Sequence, residues 1–163
     1  MSSTSQNFLN KEQRDFIMDG IFRAIAIADE QIQQDALQAL QEVPMIAYQV
    51  LGDYILRVGE MTHKFMTEND SQNTKASLQF WIHLCQAEMN AVKTGCSMNI
   101  VAQYKDSLLQ IIFNGIAVTE LEDDEHEVED SIDDIQYTVS RASASLLIEV
   151  AALLGDQVLS QTI

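Results

Sequence analysis

The sequence predicts an all-helical fold, and three observations carry that prediction. One proline and six glycines in 163 residues leave little to punctuate long elements. Apolar residues recur at helical spacing along most of the chain, and 47% of residues are hydrophobic, the proportion of a folded chain. The pattern also repeats at an offset of 41 residues: Asp29 matches Asp70, Leu37-Gln38 matches Leu78-Gln79, Leu40 matches Trp81, and Val43 matches Leu84. Residues 1–10 are expected to be a flexible N-terminus and 11–163 one domain with a moderate core.

Six helices follow from the pattern. Asn10 with Gln13 three residues later reads as a capping box, and Ile17, Ile21, Ala24 and Ile25 give a first helix over about 11–27. Asp29 breaks it. The second helix carries Ile32, Ala36, Leu40 and Val43 on one face, with Pro44 predicting a kink or early stop. The third starts near Asp53, buries Ile55, Val58, Phe65 and Met66, and ends at Asp70 and Ser71. The fourth, about 73–92, stacks Leu78, Trp81, Cys85 and Val92, with Gly95 closing the turn after it. Ser97 is placed to cap a fifth helix carrying Val101, Tyr104, Leu108, Ile111 and Ile112. Ser131 and Asp134 suggest a capping box for the sixth, whose stripe is Ile135, Val139, Ala142, Leu146 and Val150.

These helices pair as three antiparallel hairpins, about 11–50, 53–93 and 98–159. A period near 40 with two helices per unit is the signature of a HEAT-type α-solenoid. The rival arrangement is a closed six-helix bundle. The last helix favours the open stack: Leu146, Leu147, Ile148, Val150, Leu153 and Leu154 cover nearly all its sides, whereas a terminal repeat should be polar outside, so a following repeat is expected.

Charge is concentrated in one place. Residues 120–134 hold ten of the twenty-five acids and no Lys or Arg, in a chain of net charge −16 and pI about 4.2. Such a run repels itself and costs heavy desolvation to bury, so it is expected as a displayed loop between the helices of the third hairpin. It points to a basic protein partner and argues against nucleic acid and anionic membrane surfaces. Taken alone, a charge run equally fits a solvated loop. Cys85 and Cys96 offer no disulfide framework and fit a reducing compartment. Residues 1–7 have neither the basic start nor the apolar run of a signal peptide, and the apolar stretch Leu146 to Leu154, interrupted by Glu149, is too short to span a bilayer.

Catalytic and metal chemistry finds no support. With Asp123 as the first position of a calcium loop, Glu125 and Glu127 fall at ligand spacing, but Val128 stands where the sharp turn needs glycine. Glu60-Met61-Thr62-His63 has the Glu-x-x-His spacing of a di-iron bundle in one copy where two are required. His83 and His126 lack partners at zinc spacing, and there is no phosphate loop or nucleophile elbow. No cofactor, no metal and no enzymatic activity are expected.

Phe16-Ile17-Met18, Ala36-Leu37-Gln38, Tyr54, Phe80-Trp81 with Cys85 and Glu88, and the acidic segment stand in an order and spacing that resemble the importin beta (karyopherin beta) family of nuclear import receptors. The resemblance covers roughly residues 14–159 and places the chain against the repeats just after the receptor's N-terminal quarter. It implies a HEAT superhelix that works in the cytoplasm and nucleus and at the nuclear pore. By that resemblance, Phe16, Tyr54 and Met61 would contribute to a pocket between outer helices for phenylalanine-glycine (FG) repeats of nucleoporins. Thr62 stands where the family has a further apolar residue. Glu122, Asp123, Asp124, Glu125, Glu127, Glu129 and Asp130 would contact the GTPase Ran or a basic cargo or importin-alpha-type adaptor, although the tryptophan that closes the family's acidic run is absent. On periodicity alone, Phe16 and Tyr54 read as ordinary inter-helix packing. A different class of function, a HEAT scaffold for a multiprotein complex unrelated to transport, shares the same fold.

Overall fold

The computed structural model describes residues 10–67, 71–123 and 139–161. Among these, seven α-helices and one 3-10 helix follow one another: α1 Lys11–Ala26, α2 Glu30–Ala47, the 3-10 helix Tyr48–Asp53, α3 Ile55–Thr67, α4 Ser71–Thr94, α5 Ile100–Gln103, α6 Lys105–Asp123 and α7 Val139–Gln161. Residues 1–9 of the N-terminus expected as flexible over 1–10, the stop at Asp70, the capping box at Ser131 and Asp134, and Ile135 lie outside the described residues.

The fold is an all-α stack of three hairpins. In the first, Asn10 caps α1 by accepting from the amides of Glu12 and Gln13, and Asp29 caps α2 by accepting from that of Ile32. The two helices pack on each other, as α3 packs on α4 and α6 on α7. The second helices α2, α4 and α7 also pack side by side, α4 in the middle, so they form one continuous layer with the first helices laid against it. The repeat offset is visible in the core: Leu37 and Leu78, Leu40 and Trp81, Val43 and Leu84 are all buried.

Several details depart from the periodic reading. The buried face of α1 is Arg14, Met18, Phe22 and Ile25, with Ile17 and Ile21 half-buried on its flank. The stripe of α1 is turned because Met18 and Phe22 reach further into the core than the isoleucines beside them. Ile32 and Val92 are exposed, each near the end of a helix where the neighbouring elements no longer cover it. Pro44 neither stops nor shortens α2, which continues to Ala47. Its missing N–H leaves a carbonyl of the preceding turn unanswered. One residue on, His83 of α4 places Nδ1 2.6 Å from the carbonyl of Gln41. A carbonyl only accepts, so Nδ1 carries the proton and Nε2 accepts from the Gln79 amide, 2.9 Å away.

Gly95 does close α4, in the left-handed region at φ 76°, with Cys96 N–H donating back to Ala91. The expected fifth helix is broken at Tyr104 into α5 and α6. Gly59 of α3 admits the Tyr104 ring here, since a Cβ on it would lie 3.2 Å from the ring edge. Ser97 does not cap the helix. Its hydroxyl accepts from Asn99 N–H, and the first amides of α5 turn to Glu88 on α4 instead.

Glu88 is 1% exposed. Oε1 accepts from Ile100 N–H at 2.5 Å and Oε2 from Val101 N–H at 3.0 Å, while Tyr48 O–H donates to Oε1 at 2.9 Å. The same Tyr48 oxygen accepts from Met98 N–H at 2.8 Å. Burial first, and then the neighbouring Glu88, push the Tyr48 hydroxyl's pKa up. One carboxylate on the second helix of the second repeat thus joins the end of the first repeat and the start of the third. Beside it, burial pushes the Cys85 thiol to about 12, which keeps it an inert core group. Trp81 anchors the other side of α4, edge-on to Phe80 and 5.4 Å from Tyr104, and donates its indole N–H to Thr62 Oγ1 at 3.0 Å.

Two substitutions test this core. Glu88→Ala strands three buried donors and is expected to lower unfolding free energy by roughly 3–5 kcal/mol in urea titrations, with Glu88→Gln intermediate; a loss under about 1 kcal/mol would show that water or another group replaces the carboxylate. Thr62→Val keeps shape but leaves the indole N–H without its acceptor. It should cost about 1–3 kcal/mol, followed by the fluorescence of the sole tryptophan.

Candidate functional site

Turning α1 so that Arg14, Met18, Phe22 and Ile25 face inward leaves Phe16 pointing away from the core, 81% exposed. Across from it stands Tyr54, at the junction of the 3-10 helix and α3. Its hydroxyl donates to the Asp15 carboxylate and accepts from Arg14 Nε at 3.2 Å, and Arg14 reaches Asp53 at 3.6 Å. Burial, then Asp15, holds the Tyr54 hydroxyl's pKa above the ordinary phenol value, so it stays protonated and donating. The Asp15 carboxyl is held below its usual range, first by Lys11 and then by Tyr54.

Between these elements lies an open groove of about 490 Å³ whose apolar lining is Phe16, Met18, Phe22 and Tyr54, with carboxylates of Asp15 and Asp19 among its polar lining. Arg57 of α3 crosses it: its guanidinium sits 4.3 Å above the Phe22 ring and donates to Asp19 at 3.2 Å. The groove belongs to neither repeat alone, since α1 supplies Phe16 and Phe22 while Tyr54 and Arg57 come from the second repeat. Of the three residues the resemblance assigns to a pocket, Phe16 and Tyr54 meet here. Met61 lies about 10 Å further along the chain's helical path, half-buried against the core, and does not line the groove. Thr62 is fully buried beneath Trp81, so its polarity answers the indole and leaves the groove's lining unchanged.

A second groove of about 240 Å³ opens one repeat further on, lined by Leu56, Gly59, His63, Trp81, Tyr104 and Leu108. Leu56 stands 40 residues after Phe16 and is likewise exposed, at 75%. The 41-residue repeat offset pairs Phe16 with Arg57, one position past Leu56, so the second groove emerges from the structure and not from the sequence echo. Arg57 gave no chemical signal in the sequence, because an isolated arginine on an amphipathic helix reads as a solvated charge.

Glu122 and Asp123 fall in the last turn of α6. Their carboxylates, together with Asp124, Glu125, Glu127, Glu129 and Asp130, lie outside the described residues. Among the described residues no three His, Cys, Asp or Glu side chains cluster as metal ligands, and no helix is long and apolar enough to cross a membrane.

No protein-family model matches the chain. Importin subunit beta-1 of Arabidopsis thaliana is 26% identical over 87 residues, which is 53% of this chain and 10% of that protein. The chain therefore spans about a tenth of the length of the curated relative it matches. Two solved structures share the fold over 91% of this chain and 17% of their own: importin beta crystallised in ammonium sulfate, with a TM-score of 0.73 at 21% identity, and Kap95p in a structure with RanGDP, with a TM-score of 0.75 at 15% identity. In sequence over half its length and in fold over nine-tenths of it, the chain is similar to a segment of the HEAT-repeat array of importin beta.

Proposed function

We propose that the chain is a noncatalytic protein-binding segment of a nuclear transport receptor of the importin beta type, acting between cytoplasm and nucleus. Its first-helix layer receives the apolar side chains of FG repeats, and its acidic run, Glu122 through Asp130, binds a basic partner, Ran or a cargo adaptor. The observation that carries the first part is the groove between adjacent repeats, where an exposed Phe16 faces Tyr54. A large aromatic left in water at the mouth of an apolar concavity loses stabilisation that a bound apolar side chain restores. The second groove at Leu56 offers a further seat in the neighbouring repeat junction, so a peptide with two spaced phenylalanines gains from effective concentration. Ran enters the reading through the Kap95p neighbour, a protein whose structure was determined with RanGDP.

Titration with an FG-repeat peptide tests the groove. Binding should weaken roughly tenfold, about 1.4 kcal/mol, on Phe16→Ala and on Tyr54→Ala. Binding that is absent, or indifferent to both changes, removes the groove from the reading. For the acidic run, affinity for a basic adaptor peptide should fall steeply between about 0.15 M and 1 M salt, where the Debye length shrinks from about 8 Å to about 3 Å. A flat response would make the carboxylates bystanders.

A further inference from the structure

The floor of the first groove is apolar, and burial of apolar surface is non-directional: it rewards area and does not tell a flat ring from an aliphatic side chain of the same bulk. Any preference for a ring has to come from a directional group. Arg57 is placed to be that group. Its guanidinium is a plane with two faces. Its central carbon sits 4.3 Å over the Phe22 ring centroid, and Nη1 is tied to Asp19 at 3.2 Å, which itself is held by Arg23 at 2.9 Å. The tether fixes the plane, yet the side chain remains 54% exposed and lines the same groove as Phe16 and Tyr54. Of the groove's carboxylates, Asp15, Asp19 and Asp53 are engaged by Lys11, Tyr54, Arg23, Arg57 and Arg14, and a guanidinium that pairs with a carboxylate through its N–H edge leaves its face for an aromatic ring. A guanidinium is weakly hydrated and stacks on aromatic faces, whereas an ammonium is a solvated point charge.

We propose that Arg57 is the ring-selective wall of this groove, a specificity-determining residue that favours a planar aromatic side chain over an aliphatic one of equal bulk. The inference rests on the groove being the peptide site proposed above. It predicts a stack in which the incoming ring lies over the free face of the guanidinium while Phe22 supports the other.

The test compares two labelled, capped peptides that differ only in carrying phenylalanine or cyclohexylalanine beside glycine, titrated against the full chain by fluorescence anisotropy. Arg57→Gln should shift the phenylalanine-to-cyclohexylalanine affinity ratio toward cyclohexylalanine by about two- to fivefold. Arg57→Lys, which keeps the charge and loses the plane, should shift it the same way by less, and supplies the same readout if the Gln variant fails to fold. A ratio unmoved in either folded variant, with both peptides still bound, overturns the role of Arg57 and leaves the groove standing. Failure of both peptides to bind the unmodified chain overturns the groove and the inference together.

Discussion

The carboxylate of Glu88 is the constraint on which the stack depends. A solenoid has no closed core, so each repeat must be fixed to its neighbours by contacts that apolar packing alone does not orient. Glu88 supplies orientation. A charge this deeply buried is tolerated only when its lone pairs are answered, and here they are answered by the start of one repeat and the end of another. The first amides of a helix are orphan donors. By ending those of α5 on a residue of α4, the chain converts a local capping requirement into a bond between repeats.

The same strategy recurs with smaller groups. Arg14 with Tyr54, Gln33 with Asn73, and Tyr48 with Glu88 each bond across a separation of 40 residues, and His83 reaches back 42 to Gln41. These spacings of 40 and 42 bracket the sequence period of 41, because all of them measure about one step of the stack. Each bonded partner stands within one residue of the equivalent position in the adjacent repeat, so the polar bonds join nearly corresponding places of neighbouring repeats. Polar junctions of this kind specify register, while Leu37, Leu40, Trp81 and Leu84 supply the non-directional part of the stability.

Much of this architecture was legible in the residues. Helical spacing gave the elements, and the echo of Leu37, Leu40 and Val43 in Leu78, Trp81 and Leu84 gave the repeat. What stayed hidden were features set by a partner far away in the chain. Ser97 was a good local cap, but Glu88, nine residues earlier and buried, won the helix start because a carboxylate accepts more strongly than a hydroxyl. Pro44 looked like a stop because its cost was visible and the tertiary support around it was not. Phe16 stood one residue from an isoleucine stripe, and only the turn of α1 separated core from surface. Thr62 read as a polar intrusion until the Trp81 indole appeared above it.

Tyr54 is both a wall of the groove and a fastening between repeats, through Asp15 and Arg14. That double duty has a mechanical meaning. Bending the stack so that α1 and α3 spread apart widens the groove and strains the Tyr54 fastening in one motion, so curvature and occupancy are coupled variables. By reciprocity, whatever a bound side chain gains from one curvature, that curvature gains from the bound side chain. A junction-owned groove therefore ties the curvature of this repeat junction to the width of the groove between its helices.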